Sequence, residues 1–251
     1  MVMEFAEDVR ASHGHCELVF NNAGVASAFA FDQVALEEVD RVMNINLGGV
    51  LNIAKAFLPL LKASERAALV NTSSILGLTS FPASSAYCIS KYGITAFGQC
   101  LALEAAEFFP HVAICNVHPG FVRTGLIMNS KESILPIAGR RTINIADVDR
   151  VFKYMGSTDP KDAAYEMIEG VRRGKHRILI GSDARIFDMV VRIFPNIVFS
   201  RTLYHVFIFV VLVGTRLIGK RVLLAMVVLL AYLRPNWIRT ILARLAKQVN
   251  G

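Results

Sequence analysis

Tyr87 and Lys91 are the two residues whose types and spacing most directly indicate chemistry. On a helix, residues four positions apart lie on one face, so the lysine ammonium can come near the phenol. A tyrosine with an ordinary pKa of about 10 is a poor base near neutrality, and a nearby positive charge favours the phenolate and lowers that pKa. The pair therefore predicts a tyrosine that exchanges a proton with an alcohol or a carbonyl group.

Ser74 precedes Tyr87 by thirteen residues and follows an apolar run typical of a buried strand. At the end of such a strand its hydroxyl can hydrogen-bond the same substrate oxygen as charge develops on that oxygen. Structural roles are the alternatives. Ser74 could cap the end of the strand, and Tyr87 and Lys91 could be an ordinary exposed pair on a helix.

The elements that must position these residues alternate along the chain. Short runs rich in β-branched residues predict strands at 16–20, 68–72, 112–117 and 177–180. Apolar residues spaced by about 3.6 predict helices at 33–63, 85–108 and 160–173. This alternation predicts an α/β fold with a buried, doubly wound parallel sheet.

Small polar residues, glycine and proline follow the first three predicted strands. Asn-Asn-Ala-Gly stands at 21–24, Ser-Ser-Ile-Leu-Gly at 73–77 and His-Pro-Gly at 118–120. In open α/β sheets ligands bind outside the carboxyl ends of the strands, so these segments are expected to share one site. A simple turn is the alternative at 21–24, because Asn and Gly both tolerate positive φ.

Taken in order, these motifs resemble the classical short-chain dehydrogenase/reductase family. The matching segments are Asn-Asn-Ala-Gly at 21–24, Asn-Leu-Gly-Gly at 46–49, Ser74, Tyr87-x-x-x-Lys91 and Pro119-Gly120-x-x-x-Thr124. The resemblance covers about residues 4–186 and ends in a segment, 177–184, that is similar to the last strand of certain bacterial members. It implies a Rossmann-like fold and an oxidoreductase that moves hydride between NAD or NADP and a secondary alcohol or ketone.

The resemblance also implies a role for each matched residue. Tyr87 would be the general acid/base, Lys91 would tune it and bind the nicotinamide ribose, and Ser74 would orient and polarise the substrate. Asn46 would complete a proton relay through water, although an ordinary polar helix residue is the alternative. The implied cofactor contacts are Asn22, Ala23, Gly24, Tyr87, Lys91, Pro119, Gly120, Val122 and Thr124. His118 is expected to be a structural or loop residue, and homo-oligomers would form through helices 33–63 and 85–108.

The opening part of the family pattern has no counterpart in this sequence. The family begins with a strand, a Gly-x-x-x-Gly-x-Gly turn and a helix whose N-terminus receives the pyrophosphate. The sequence therefore predicts an N-terminally truncated domain over 1–186, lacking the first three strands, with 16–20 as an exposed apolar edge. Weak binding of NAD or NADP is expected. The alternative function is a non-catalytic, membrane-associated remnant.

Residues 187–251 differ in composition from the rest of the chain. No Asp or Glu follows Asp188, and the nine Lys and Arg residues there give a formal charge of +9, so the rest of the chain carries −2 of the total of +7. The apolar runs 203–214 and 222–233 are too short to cross a bilayer. The segment 237–247 predicts a basic amphipathic helix lying in a membrane surface, or a helix packed on a partner subunit or on the rest of the domain. Nucleic-acid binding is not predicted, because the cations alternate with long aliphatic runs.

The four cysteines show no metal-ligand spacing, so no metal site is predicted and reduced thiols in the cytoplasm are expected. No cleavable targeting peptide is recognised at the start. The substrate loop is expected within 121–157, whose moderately apolar composition suits a small lipid-like alcohol or ketone but carries no chemical signature.

Overall fold

The computed structural model describes residues 1–27, 29–126 and 158–196. The chain divides into two units, Met1–Asp188 and Met189–Gly251, and only residues 189–196 of the second are described. The predicted membrane-associated tail therefore lies almost entirely outside the described residues. The predicted α/β class is confirmed by the first unit, in which helices flank a parallel sheet.

Four parallel strands form this sheet in the order β1-β2-β3-β4. They are Leu18–Asn21 (β1), Ala67–Thr72 (β2), Val112–Pro119 (β3) and Arg177–Ile180 (β4). Each predicted strand is present, with ends displaced by at most two residues. β1 begins later than predicted, since the Cys16 amide donates to the carbonyl of Leu60 in a neighbouring helix (3.2 Å) instead of joining the sheet.

Within residues 1–27, 29–126 and 158–196, six α-helices accompany the strands, together with one π-helical turn and one 3-10 turn. The α-helices are Val2–His13 (α1), Leu36–Met43 (α2), Gly49–Lys62 (α3), Ser85–Phe108 (α4), Pro160–Arg172 (α5) and Ser182–Ile193 (α6). The predicted helix 33–63 is α2 and α3 joined by a π-helical turn, Asn44–Gly48. A single 3-10 turn, Ile75–Gly77, follows β2. α5 begins where Asp159 caps the Lys161 amide and Pro160 occupies the first turn.

The two faces of the sheet bury different helices because successive strand residues point to opposite sides. On β2, Leu69 belongs to the core formed with α1, α3 and α4, whereas Val70 belongs to the core formed with α5. Burying a leucine such as Leu60 or Leu61 is worth about 1.5–3 kcal/mol. The helices on both faces hold the carboxyl ends of β2 and β3 rigidly.

β1 lies at the end of the sheet and is the least protected of the four strands. Its outward side chains, Leu18 and Phe20, are 47% and 40% exposed. These values agree with the apolar edge that the sequence predicts. Within the described residues one helical segment, Leu36–Lys62, is long and apolar enough to cross a membrane. Its side chains Phe57, Leu60 and Leu61 are buried in the core, as expected for a core helix.

Candidate active site at the carboxyl ends of the strands

Tyr87 and Lys91 lie together on the first turns of α4. The Lys91 Nζ is 5.6 Å from the centroid of the Tyr87 ring and donates a hydrogen bond to the carbonyl of Thr72, the last residue of β2 (2.9 Å). Lys91 is only 4% exposed. The helix therefore carries its ammonium group to the end of the sheet and fixes it beneath the phenol.

Ser74 is brought to Tyr87 by the tight turn after β2. Its hydroxyl accepts from the Leu76 amide (3.1 Å) and so caps the 3-10 turn, and the same side chain acts on the Tyr87 hydroxyl, whose pKa it lowers. Gly77 lets this turn press against α4, because a Cβ there would lie 2.6 Å from the Lys91 carbonyl and 2.8 Å from the Thr95 hydroxyl. Ser74 thus caps a turn and faces Tyr87 at the same time.

Burial dominates the protonation of both groups. It raises the pKa of Tyr87 to about 12, although the Ser74 hydrogen bond acts in the opposite direction. Burial likewise lowers the pKa of Lys91 to about 8. The expectation that Lys91 brings the pKa of Tyr87 below its ordinary value is therefore wrong for the protein without ligands. The loss of solvation outweighs the local charge, and Lys91 is largely neutral before Tyr87 titrates.

Asn46 sits in the π-helical turn and is fully buried. Its Oδ1 accepts from the Val25 amide (2.8 Å), and its Nδ2 donates to the Val25 carbonyl and to the Ser90 hydroxyl (3.0 Å each). Ser90 in turn donates to the carbonyl of Tyr87 (2.7 Å). Isolated π turns are frequent at functional sites. Here the turn aims Asn46 so that it clamps the loop after β1 to the helix that carries Tyr87.

The loop after β1 approaches the same groups at Gly24. A Cβ on Gly24 would lie 3.1 Å from the Asn46 Oδ1 and 3.5 Å from the Lys91 Nζ, so the absence of a side chain leaves space above the ammonium. Asn22 and Ala23 are exposed beside it. The Asn22 Oδ1 accepts from the Thr72 hydroxyl (3.1 Å), which ties together the ends of β1 and β2.

The segment after β3 is held by different partners. Val122 pairs with Thr158 in an isolated bridge, and the Thr124 amide donates to the Val122 carbonyl (2.8 Å). Pro119 and Gly120 are half-buried at the end of the strand. The structure gives no contact between these residues and Tyr87 or Lys91. They share the same edge of the sheet but form a second cluster.

Several supporting residues were not singled out from the sequence. Ser73 donates to the Lys91 carbonyl (2.8 Å), and its hydroxyl lies 2.9 Å from the Thr95 hydroxyl. Asp183, at the start of α6, accepts from the Phe121 amide (2.6 Å). For Asp183 the only signal in the sequence was the Gly-Ser-Asp-Ala segment after the last strand.

His118 was expected to be a structural or loop residue. It is buried and donates from Nδ1 to the Ser74 carbonyl (3.2 Å), in keeping with that role.

A cavity of about 520 Å³ opens beside the N-terminal end of α4. Its mainly apolar lining includes Phe31, Phe81, Cys88 and Tyr92, and none of the four catalytic candidates. Most of the predicted substrate loop, residues 127–157, lies outside the described residues. All four cysteines are free, in agreement with the expected reduced thiols.

Comparison with known proteins places this arrangement in a family. The sequence model of the family described as short chain dehydrogenase matches residues 1–134. SadH of Mycobacterium tuberculosis, named an oxidoreductase, is 29% identical over 197 residues, which cover 76% of this chain and 67% of SadH. The 3-ketodihydrosphingosine reductase of Bacteroides thetaiotaomicron is 34% identical over 134 residues, 53% of this chain and 49% of that enzyme.

The fold agrees with solved structures as well. A short-chain dehydrogenase/reductase from Burkholderia phymatum, crystallised in complex with NAD, has a TM-score of 0.63 and 22% identity. That match covers 78% of this chain and 69% of the Burkholderia chain. Because the family model matches more than half of the sequence and the fold agrees, the chain belongs to the short-chain dehydrogenase family.

Proposed function

We propose that this protein is an NAD- or NADP-dependent oxidoreductase that interconverts a secondary alcohol and a ketone by hydride transfer. The observation that carries the proposal is that the Ser74 side chain acts on the Tyr87 hydroxyl and lowers its pKa, while the Lys91 Nζ lies 5.6 Å from the centroid of the Tyr87 ring. Two hydroxyls that interact with each other in this way can both reach a single substrate oxygen. The competing function is a non-catalytic remnant that keeps these side chains but cannot hold the dinucleotide, so turnover and cofactor binding distinguish the two.

In the reductive direction a ketone gains a hydride at carbon and a proton at oxygen. The reduced nicotinamide supplies the hydride when it is bound. Tyr87, whose pKa of about 12 keeps it protonated at neutral pH, donates the proton to the carbonyl oxygen. Ser74 donates a hydrogen bond to the same oxygen as negative charge develops on it. Asn46 and Ser90 hold α4 and the loop after β1 in fixed positions relative to each other.

The residues around Lys91 fit the nicotinamide end of such a cofactor. Gly24 keeps the space beside the ammonium free, since a Cβ there would fill it at 3.5 Å from the Lys91 Nζ and crowd the Asn46 Oδ1 at 3.1 Å. An ammonium and a phenol next to that space provide donors for the hydroxyls of a ribose. We assign the ribose to Lys91 and Tyr87, and the nicotinamide side to the backbone of Pro119 and Gly120, with Asn22, Ala23, Val122 and Thr124 nearby.

The described residues fit the pyrophosphate end less well. A pyrophosphate is normally bound at a helix N-terminus that directly follows a strand. β4, Gly181 and α6 form such a turn, but Asp183 occupies the first turn of the helix and the Glu166 carboxylate accepts from the Gly181 amide (3.2 Å). Two carboxylates at this position repel phosphate. The cofactor contacts that we propose are therefore confined to the nicotinamide half.

The substrate that we propose is a small lipid-like ketone or alcohol. The Bacteroides relative is named for reducing 3-ketodihydrosphingosine. The C-terminal part of this sequence is apolar and basic, which suits an enzyme whose substrate resides in a membrane. A short, water-soluble ketone should therefore be a poorer substrate than a long-chain one.

The experiment combines the purified full chain with millimolar NADH or NADPH and either a long-chain or a short-chain ketone. Oxidation of the reduced nicotinamide is followed by its absorbance. Tyr87→Phe removes only the hydroxyl, so turnover should fall by about two to four powers of ten while the fold is retained. Tyr92→Phe, on the partly exposed side of the same helix, is the matched control and should retain turnover. Retention of most turnover by Tyr87→Phe would refute the proposed acid/base.

We also propose that residues 199–251 attach the protein to a membrane surface. The segment carries Lys and Arg but no acidic residue, together with Trp237. Vesicles containing phosphatidylserine should retain the full chain, and added salt should weaken retention because part of the attraction is coulombic. Neutral vesicles are the control. Equal retention by both kinds of vesicle at every salt concentration would contradict an electrostatic surface attachment.

Self-association through α3 and α4 belongs to the same proposal. These helices expose apolar side chains on the described surface, among them Leu51 (39%), Ile89 (50%) and Leu103 (76%). Burying such side chains in a symmetric interface stabilises a dimer. Sedimentation of the wild type and of a Leu51→Glu, Ile89→Glu variant tests this. The wild type should sediment as an oligomer and the variant as a monomer.

A further inference from the structure

Asp183 stands out as a buried acid with no part in the proton chemistry described above. It lies in the first turn of α6, only 3% exposed, and its Oδ2 accepts from the backbone amide of Phe121 at 2.6 Å. These two residues are 62 positions apart in sequence. Hydrogen bonds to a charged acceptor are short and stronger than neutral ones, so this contact fixes the backbone just after Pro119 and Gly120.

Two glycines make room for the Asp183 carboxylate. A Cβ on Gly120 would overlap both of its oxygens. A Cβ on Gly181 would lie 2.5 Å from the Asp183 Oδ1 and 2.7 Å from the Thr158 hydroxyl, and Gly181 has a φ of 87°. Gly120 is thus required by the carboxylate beneath it and not by positive φ. Gly120, which belongs to the Pro-Gly motif, and Asp183 are therefore packed directly against each other.

The same backbone is held from its other side by Thr158. The Thr158 amide donates to the Phe121 carbonyl (3.3 Å), and the Arg123 amide donates to the Thr158 carbonyl (3.1 Å). An exposed ion pair between Arg123 and Asp159 continues this contact. Two segments distant in sequence, around Thr158 and Asp183, therefore converge on residues 120–123, and Asp183 contributes the buried carboxylate.

The charges around Asp183 make its burial costly. Burial raises the pKa of Asp183, and the neighbouring Glu166 carboxylate acts in the same direction. Glu166 is itself paired with Arg185 (2.6 Å), which limits its effect on Asp183. If Asp183 only filled space, a neutral residue of similar size would serve without this cost. Backbone amides offset part of this cost: those of Ala184 and Asp183 itself at the start of α6, and that of Phe121, which lies on a different segment of the chain.

We propose that Asp183 is a positioning residue that orients the nicotinamide by fixing the Gly120–Phe121 backbone. This inference rests on the proposed function, which assigns the nicotinamide side to that backbone. In this proposal Asp183 touches neither substrate nor cofactor and acts through the Gly120–Phe121 peptide, whose amide it binds. Removing it should weaken binding of the nicotinamide half and leave binding of the ketone unchanged.

Reduced nicotinamide mononucleotide is the probe, because it carries only the half of the cofactor that this backbone would face. In the full chain, Asp183→Ala should raise the KM for the probe about tenfold and leave the KM for the ketone within about twofold. Asp183→Asn should restore the KM to within about threefold of the wild type, because its amide oxygen accepts the same hydrogen bond. Asp188→Ala is the matched control on the same helix, where Asp188 pairs with Arg177 (2.9 Å). It should lower thermal stability without changing either KM.

A KM for the probe that is unchanged in Asp183→Ala, or raised equally by Asp188→Ala, would overturn the inference. An Asp183→Asn variant as impaired as Asp183→Ala would also overturn it. If Asp183→Ala does not fold, Gly120→Ala places a methyl group against the same carboxylate and should raise the same KM.

A measurement without turnover separates this inference from the proposed function. Adding oxidised nicotinamide mononucleotide to the wild type should shift the amide resonances of Gly120 and Phe121, and the shifts should be lost in Asp183→Ala. A wild type that shows these shifts but no turnover would refute the proposed reaction and support the positioning role. A wild type without the shifts would refute the positioning role, whether or not it turns over ketone.

Discussion

The centre of the sheet and its β1 edge differ in how completely their side chains are enclosed. Leu69 and Val70 of β2 are fully buried between helices on both faces, whereas Leu18 and Phe20 of β1 are 47% and 40% exposed. Tyr87 and Lys91 depend on the centre, since Lys91 hydrogen-bonds the last carbonyl of β2. The groups proposed for catalysis thus rest on the part of the fold that is packed from both sides.

The comparison supports the proposal that the nicotinamide half of the cofactor site is assembled independently of the phosphate half. The nicotinamide side that we propose lies at β2, β3, α4 and the start of α6, all within the enclosed region. The described residues offer no comparable site for phosphate, because the tight turn after β4 carries Asp183 and Glu166. Each of the following predictions alters one side of this comparison.

The largest effect is expected for Lys91→Met, which replaces the buried ammonium at the centre with an apolar chain of similar length. Turnover should fall by about two to four powers of ten, because the proton donor loses its neighbour. Stability should rise at the same time. The difference between the ordinary pKa of 10.5 and about 8 corresponds to about 3 kcal/mol of destabilisation by the charge. Loss of the hydrogen bond to Thr72 reduces the expected gain to about 1–3 kcal/mol.

The pH dependence of this gain follows from the lowered pKa of Lys91. The folded protein binds the lysine proton less tightly than the unfolded chain. The destabilisation by Lys91 is therefore absent above pH 10.5, where the side chain is neutral in both states, and it is complete once the pH has fallen through about 8. Urea unfolding of the wild type and Lys91→Met should therefore differ most at pH 7 and converge near pH 10.5. A variant that is less stable at pH 7 would contradict the burial cost.

The second prediction compares two glycines on α4. A Cβ on Gly98 would overlap the amide of Asn116 on β3, which is buried and donates to the Thr95 carbonyl (3.0 Å). Gly98→Ala should therefore cost about 1–3 kcal/mol of unfolding free energy. A Cβ on Gly93 would meet only the end of the Leu47 side chain (2.8 Å), which can move. Gly93→Ala should remain within about 1 kcal/mol of the wild type, because alanine favours the helix. Equal losses would show that α4 packs less tightly on β3 than the structure indicates.

The third prediction concerns the phosphate side. Calorimetric titration of the full chain with NADH and with reduced nicotinamide mononucleotide should give Kd values within about tenfold of each other. The adenosine monophosphate half of NADH finds few partners among the described residues, so it should add little. An affinity for NADH several hundredfold higher would mean that a phosphate site forms elsewhere in the chain.

The smallest effect is expected at the edge. Leu18→Thr with Phe20→Thr should change the unfolding free energy by no more than about 0.5 kcal/mol, because both side chains already face solvent. Turnover should be unchanged, and aggregation should decrease because an apolar edge is a template for pairing. Val70→Thr, the same kind of change at the centre, should cost about 1–3 kcal/mol through the buried hydroxyl. Equal costs at the two positions would abolish the distinction between centre and edge.

Local patterns were sufficient to predict much of this fold. The four strands follow from short runs rich in β-branched residues, and the helix bearing Tyr87 follows from 3.6-residue apolar spacing. The approach of Lys91 to Tyr87 follows from their separation by four residues. The π turn that aims Asn46 was not predicted, since it differs from an α-helix only in its hydrogen-bond register. Such a register leaves no clear mark in the spacing of apolar residues.

Properties that arise only on folding were missed or predicted with the wrong sign. The pKa of Tyr87 was expected to fall because its sequence neighbour is a cation, yet burial raises it to about 12. Desolvation depends on residues far away in the sequence, so it is invisible in a four-residue motif. The contact between Asp183 and Phe121 has the same origin, since 62 residues separate its partners.

Transfer of deuterium from cofactor to product tests the central claim most directly. The full chain is incubated with a long-chain ketone and NADH or NADPH deuterated at the transferable position of the nicotinamide, and the alcohol is analysed by mass spectrometry. The wild type should yield alcohol with one deuterium on the carbinol carbon, and Tyr87→Phe should yield about two to four powers of ten less. Labelled alcohol formed equally by both proteins would contradict the role of Tyr87. The proposed oxidoreductase activity would be contradicted if the folded, cofactor-saturated wild type formed no labelled alcohol from the ketones tested.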